Sequence, residues 1–375
     1  MEQPASPQAA TETRPGLETS PGFVPWMMRH RVSLACSSYQ TGRLLLIGAR
    51  RGGDVAVTRA QFPGAMGLAA FSQRIYLAGR AAIWRLENTL RADQLVDDRY
   101  DRLFVPRNAQ ITGNLLVHEI AVEPAGRIVF VNTRYSCLAT VSTTHAFRPL
   151  WRPAFVSRLA PEDRCHLNGL AVDDGRVRYA TACAASDIVD GWRERRADGG
   201  VLIDVATDRI VVDGLSMPHS PRLHRGAVWL LNSGSGHLIR VDPQTARREE
   251  VAFCPGFLRG LTFIDDFAVV TLSLPRYGRF QGLALDGELT RRNASAWCGL
   301  MVIDTRTGDI VEWVRFDGEM ELFDVAAIPL ARCPLALAPD SPDLQEAITF
   351  EDVSAGEKLK DTGVADDQRG RARSG

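Results

Sequence analysis

No apolar run in the chain approaches the ~20 residues needed to cross a bilayer, so no membrane helix is expected. No C-x-x-C pair exists. The seven cysteines (Cys36, Cys137, Cys165, Cys183, Cys254, Cys298 and Cys333) are scattered and odd in number. That excludes a zinc ribbon and a small disulfide scaffold, and it predicts buried thiols in a reducing, cytoplasmic setting. Charge of either sign is not in excess: 44 basic against 45 acidic residues leave −1. Such a chain has no general pull on nucleic acid or anionic membrane, and neither is expected as a partner. The first residues, MEQPASPQAATETRPGLETSPG, lack the apolar stretch of a secretory signal. A P-loop, G-x-G-x-x-G, H-E-x-x-H and G-x-S-x-G are all missing, so no nucleotide cofactor is expected.

What is present is β structure. With 375 residues and 45% hydrophobic content, one large all-β domain fills the length. Residues 1–29 read as a disordered N-terminal tail rich in Pro, Ala, Thr and Glu. Residues 339–375 read as a mostly disordered C-terminal tail with a short helix near Asp343 to Phe350. Between them, short runs such as Arg43-LLLIG, Arg127-IVFVN, Ala227-VWLLN and Phe267-AVVTL are bounded by Gly, Asp or Asn. Helix fits only linkers such as Ala92 to Arg102.

The runs repeat. Met66-GLAAFSQRIYLAG, His118-EIAVEPAGRIVFVN, Asn168-GLAVDDGRVRYAT, His219-SPRLHRGAVWLLN and Arg259-GLTFIDDFAVVTL share one pattern, and a sixth start is Phe323-DVAAI. Their spacings of 52, 50, 51, 40 and 64 residues suit propeller blades of ~40 to 50 residues. The expectation is a six-bladed β-propeller over residues 30–338. The sixth start has one strand only, Leu322 to Ile328. Three N-terminal strands, Val32 to Cys36, Arg43 to Ile47 and Asp54 to Thr58, would pair with it and close the ring.

In a propeller, equivalent residues of the innermost strands meet at one mouth of the axial channel. The first ring position reads Met66, His118, Asn168, His219, Arg259, Phe323; the next reads Gly67, Glu119, Gly169, Ser220, Gly260, Asp324. Two residues before the first position stand His166 and Glu321. Converging imidazoles and carboxylates suit a divalent ion such as Zn, Fe, Ni or Mn. The candidate ligands are His118, His166 and His219, with Glu119 or Asp324 as carboxylate. Adjacent strand side chains point opposite ways, so one of His118 and Glu119 should face the axis. Asn168 would ligate weakly or orient a water. Arg259 suits an anionic substrate group, so the expected ligand is a small, carboxylate-bearing molecule. Without metal, the same groups make an anion site with His as general base. Ser220 completes the substrate-binding set on the ring.

Two long insertions, Ala182 to Asp198 and Ser273 to Trp297, join second to third strands and emerge at the same mouth. They carry Asp187, Trp192, Arg193, Arg195, Arg276, Tyr277 and Arg279. Trp192 and Arg193 are candidates for capping the ligand, as is Arg134 in Asn132-TRYS. Cys165 beside His166 reads as a buried structural thiol before a nucleophile.

His166-LNGLAVDDGRVRYATA, Gly191-WRERRADGG and Gly214-LSMPHSPRLHRGAVWLLNSGSG resemble a bacterial family of conserved hypothetical propellers of unknown function, across roughly residues 30–335. More distantly, Asn168-GLAVDDGRVRYAT is similar to gluconolactonase and regucalcin-like propellers. That resemblance implies an axial divalent cation and lactone hydrolysis, with Asn168 as a ligand and Glu119 and Asp324 by ring position. His118, His219 and Arg259 depart from that pattern and shift the preference toward nitrogen-liking ions. Two functional classes therefore stand. One is a metal-dependent hydrolase or lyase acting on a small anion at the axial mouth. The other is a non-catalytic propeller that binds a peptide, protein or small ligand on one face.

Overall fold

A computed structural model describes residues 16–350. Six antiparallel sheets of four strands surround a common axis, each with its first strand innermost. Blade 1 runs Asp324–Pro329, Val32–Ser38, Arg43–Ala49 and Val55–Gln61; blade 2 starts at Leu68–Ala70, blade 3 at Val117–Val122, blade 4 at Leu167–Asp173, blade 5 at Pro218–His224 and blade 6 at Phe257–Ile264. These are the six expected starts. The ring closes as expected too: the C-terminal strand pairs antiparallel with the first N-terminal one, Asp324 opposite Ser37 and Pro329 opposite Val32.

The sequence explains each hairpin locally. In blade 4 the turn between Asp173 and Arg176 is Asp174-Gly175, both left-handed (φ 44 and 74), which matches strand twist. Strand side chains alternate between the two neighbouring blades, so apolar cores form between blades rather than within them. Between blades 4 and 5, for example, Leu202, Leu215, Val228 and Leu230 are all fully buried.

Three features of the termini depart from expectation. Residues 16–29, assigned to a disordered tail, are ordered. Leu17–Thr19 adds a fifth strand to the outer edge of blade 6, pairing with Phe316, Arg315 and Val314. Helix α1 (Phe23–His30) follows and buries Phe23, Val24, Trp26 and Met27 against Leu34, Leu45 and Val302, between blades 6 and 1. Each such side chain contributes roughly 1.5–3 kcal/mol of burial. Pro25 hides this helix in the sequence, yet proline is tolerated in a first turn, where its missing N–H has no partner to lose. At the other end, Pro334–Ala336 runs parallel to Arg102–Ile111, on the outer edge of blade 2. Among the described residues beyond it, the four-residue helix Asp343–Glu346 is the one regular element. Residues 1–15 and 351–375, the rest of the two expected tails, lie outside the described residues.

The expected helix at Ala92 to Arg102 is absent; turns fill it, and Arg102 begins a strand. A helix forms instead inside the second insertion, α2 (Ala284–Arg291). No helix among the described residues is long and apolar enough to cross a membrane. All seven cysteines are free and buried.

Candidate functional site

The site grows from a backbone device. Two residues before the first ring position, blades 2 to 5 place a left-handed residue: Gly64, Leu116, His166 and Met217, with φ of 71, 53, 49 and 45. In blades 3 and 5 the carbonyl of that residue meets the ring histidine. His118 Nδ1 is 2.9 Å from the Leu116 carbonyl and 2.7 Å from Thr133 Oγ1. His219 Nδ1 is 2.9 Å from the Met217 carbonyl and 3.0 Å from Ser233 Oγ. A carbonyl can only accept, so each Nδ1 carries the proton and each Nε2 is a lone-pair acceptor.

Both rings are nearly out of water, His118 at 8% exposure and His219 at 3%. Burial pushes both imidazoles well below their usual pKa; His166 adds to this at His118, and Arg259 adds to it at both. They are therefore neutral bases at physiological pH. The Nε2 of His219 is fully buried and has no hydrogen-bond partner among the described residues. An orphaned buried acceptor costs on the order of 1–3 kcal/mol and calls for an occupant.

His166 completes the trio on different terms. Its Nδ1 is 2.8 Å from Asp163 Oδ2, which also accepts the Trp192 indole N–H at 3.0 Å. Its ring stacks on Trp192 at 4.1 Å and meets His118 edge-on at 4.9 Å. Arg259 enters from blade 6. Its guanidinium lies over Phe257 at 4.7 Å and Phe323 at 5.4 Å. The nearest carboxylate, Glu321, is 3.8 Å away and is held more tightly by Arg276 at 2.8 Å. Arg259 Nε and Glu321 Oε1 both lack partners. Burial lowers the Arg259 pKa, but guanidinium stays charged, so the site keeps an under-satisfied cation.

Below the mouth, the second ring position alternates glycine and a polar residue. A Cβ on Gly67 would sit 2.8 Å from Glu119 Cα, one on Gly169 3.1 Å from Ser220 N, and one on Gly260 2.7 Å from Asp324 Cα. Each glycine lets its strand touch the next blade's backbone at the crowded axis. Each polar residue then clamps the blade after its own. Glu119 accepts the Leu170 N–H at 2.7 Å, Ser220 donates to the Arg259 carbonyl at 2.7 Å, and Asp324 accepts the Leu68 N–H at 2.8 Å.

Arg222 reaches across the channel from blade 5 and pairs with Glu119. Glu119 is raised by burial, offset in part by Arg222. Asp324 is raised to about 7, by burial first and by the Glu119 charge second. Two buried carboxylates thus share one guanidinium and floor the site.

The structure brings His118, His166, His219, Arg259 and Trp192 together. It places the other expected residues elsewhere. Glu119 spends its oxygens on Leu170 and Arg222, away from the mouth, in line with the alternation of adjacent side chains. Asn168 turns into its own blade, accepting from Thr181 Oγ1 at 2.8 Å and donating to Cys183 Sγ at 3.4 Å. Ser220 is a clamp. Arg193 pairs with Asp190 at 3.1 Å and covers the Trp192 ring at 4.6 Å. Arg134 is exposed and donates to the Asn114 carbonyl at 3.2 Å. No group of three or more His, Cys, Asp or Glu side chains among the described residues is arranged to hold a metal ion.

Sequence reading missed Thr133, Ser233, Asp163, Phe257 and Arg222. A signal existed for the first two: each is a hydroxyl following an Asn at the end of the second strand, in Asn132-Thr133 and Asn232-Ser233.

Over residues 21–337 the sequence matches a family described as a domain of unknown function, DUF4915. No curated protein sequence matches it. A chain from a crystal structure of a nidogen/laminin complex is similar in fold, with a TM-score of 0.52 at 13% identity, covering 80% of this chain and 100% of that one. Virginiamycin B lyase from Staphylococcus aureus gives a TM-score of 0.39 at 10% identity, over 64% of this chain and 73% of that one. At these identities the nidogen/laminin likeness bears on the fold alone.

Proposed function

The chain belongs to the DUF4915 family of domains of unknown function, and from that premise we propose that its axial mouth binds a small, singly anionic molecule and acts on it by acid–base chemistry of the hydrolase or lyase type. One observation carries the reading: two neutral, buried imidazoles, one with an orphaned Nε2, lie within electrostatic reach of a cation whose nearest carboxylate, 3.8 Å away, is held more tightly by Arg276. Arg259 would hold the ligand's carboxylate and, by neutralising it, make a neighbouring proton or carbonyl more reactive. His219 or His118 would take up the proton at Nε2, the Nδ1–H bond to the backbone carbonyl fixing the tautomer and orientation. Charge counting favours a monoanion, since Arg259 and Arg276 against Glu321 leave one positive charge.

The test is a titration with sodium acetate and sodium malonate, followed by imidazole NMR signals of tag-free protein. Saturable shifts at His219 that vanish in Arg259→Met are expected. Neither anion shifting His219, or shifts that survive Arg259→Met, would overturn the proposal.

A second reading, a divalent ion held by the Nε2 atoms of His118, His166 and His219, has one observation in favour. All three Nδ1 atoms face a carbonyl or carboxylate, as in metal-bound histidines. An ion there would polarise a bound water or carbonyl. Elemental analysis decides: near-stoichiometric Zn, Fe, Ni or Mn, lost in a folded His118→Ala/His219→Ala variant, supports it, and no metal after incubation with those ions rejects it. The seven free, buried thiols support a reducing location such as the cytoplasm.

A further inference from the structure

The axial histidines His118 and His219 are buried, so an occupant enters only if something moves. Trp192 of the blade 4 insertion stacks on His166, and the start of the blade 6 insertion reaches the His219–Arg259 side through Phe280 and Arg276. Helix α2 anchors the far end of that insertion: Leu285 is fully buried and its N–H donates to the Gly234 carbonyl at 2.9 Å. The stretch before it, residues 274–283, belongs to no sheet.

The ties of this stretch are concentrated at a few residues, and Phe280 is one of them, buried beside Leu285 with its N–H donating to Asp286 Oδ1 at 2.9 Å. Leu274 N–H donates to the Met320 carbonyl at 2.8 Å, where the stretch leaves its strand. Phe280 stacks on Phe257 at 6.4 Å, and Phe257 in turn meets His219 edge-on at 5.6 Å. Arg276 reaches down to Glu321 at 2.8 Å. Arg196, from the blade 4 insertion, donates to the Gln281 carbonyl at 2.7 Å and joins the two insertions. Gly278 and Gly282 are left-handed, with φ of 76 and 72, and a Cβ at Gly278 would meet nothing within 4 Å. Gly278 thus borders open space, whereas a Cβ at Gly282 would lie 3.3 Å from Arg196 Nη2, and the stretch touches the site through Arg276 and Phe280.

We infer that residues 274–283 form a lid over the axial cluster, latched by Arg276 on the buried carboxylate of Glu321 and pivoting at Gly278 and Gly282. The inference rests on the axial cluster being a ligand site. Its logic is electrostatic. Glu321 is shared between Arg259, within the site, and Arg276, on the lid. An anion on Arg259 frees Glu321 from one of its two cations, and Glu321 then serves Arg276 alone. Ligand entry tightens the latch, and ligand departure loosens it.

Access is measurable without any ligand. Diethyl pyrocarbonate adds an ethoxycarbonyl group to the unprotonated nitrogen of an accessible imidazole, and peptide mass mapping reads the rate at each histidine. Arg276→Ala should speed modification of His219 about tenfold, corresponding to 1.4 kcal/mol, the order expected for one hydrogen bond to a buried charge. Arg276→Lys should restore most of the protection. Arg279→Ala, on the same stretch but 3.9 Å from its nearest carboxylate, should leave the rate unchanged. Arg196→Ala should raise the rate several-fold, and it serves as the second probe if Arg276→Ala does not fold. Equal His219 rates in parent and folded Arg276→Ala, or in parent and Arg196→Ala, would overturn the lid. A lid effect with no anion response would instead sink the proposed ligand chemistry and leave the lid standing.

Discussion

Asp324→Asn is the most informative single change, because its effect should depend on pH in a calculable way. Asp324 sits on the closing strand, with Oδ2 accepting the Leu68 N–H and Oδ1 accepting the Val325 N–H, each at 2.8 Å. Its pKa in the folded protein is about 7, against about 3.9 for an unfolded aspartate. A raised carboxyl means that the folded state binds more protons across this interval. Its stabilising contribution is complete below the unfolded pKa and is lost as pH rises through the folded one.

With those two values, raising the pH from 5 to 8 removes about 2.5 kcal/mol. Asparagine cannot titrate, so its variant lacks this dependence. It also turns an N–H₂ toward one of the two backbone N–H groups, at a roughly constant cost of about 1–3 kcal/mol. Urea unfolding of both proteins at pH 5, 6, 7 and 8 gives the stability difference directly. The parent's advantage over Asp324→Asn should shrink by about 2.5 kcal/mol from pH 5 to pH 8. A difference constant to within about 0.5 kcal/mol, near the limit of additivity arguments, would refute the claim that burial and the Glu119 charge hold Asp324 protonated up to about pH 7.

Further outcomes follow from other parts of the ring. Imidazole nitrogen NMR at pH 6 should show His118 and His219 neutral and protonated at Nδ1; imidazolium signals at either would contradict the burial and the carbonyl contacts. Gly260→Ala should destabilise by about 1–3 kcal/mol through its contact with the Asp324 backbone, whereas Gly287→Ala, in α2 with nothing within 4 Å, should be neutral or stabilising. Thermal or urea melts separate the two, and equal effects would remove the close-approach argument. A thiol reagent should find no reactive cysteine in the native protein and seven after unfolding; early reaction of any one would show an opening not seen in the fold.

The repeat was legible because propeller geometry imposes one apolar period on every blade. The six starts, the closing strand and the second-to-third-strand insertions all follow from it. The cluster of His118, His166, His219 and Arg259 was legible for the same reason, since register alone stacks them. Orientation within a register position was not. Asn168 holds the ring position of His118, and Ser220 that of Glu119, yet Asn168 turns into its own blade to accept from Thr181 and Ser220 clamps the Arg259 carbonyl of the next. The ordered N-terminal segment was hidden by composition: Pro25 and the flanking glycines look like a linker, and only the interblade core beneath Trp26 and Met27 makes a helix worthwhile. The alternation of Gly67, Gly169 and Gly260 with Glu119, Ser220 and Asp324 means that the axis repeats every two blades, so the polar chemistry follows a threefold pattern inside a sixfold fold.

Joining the first-made strands of blade 1 to Asp324–Pro329 also sets a timetable. Asp324 lies 287 residues after Ser37, its partner across the ladder. At ~5–20 residues per second, synthesis leaves that inner edge open for roughly 15 to 60 s. Throughout that time the nascent chain offers an unpaired strand rich in apolar side chains to any neighbour, including another copy of itself. Blade 1 thus stays incomplete on the ribosome for roughly 15 to 60 s before its inner strand exists to close the ring.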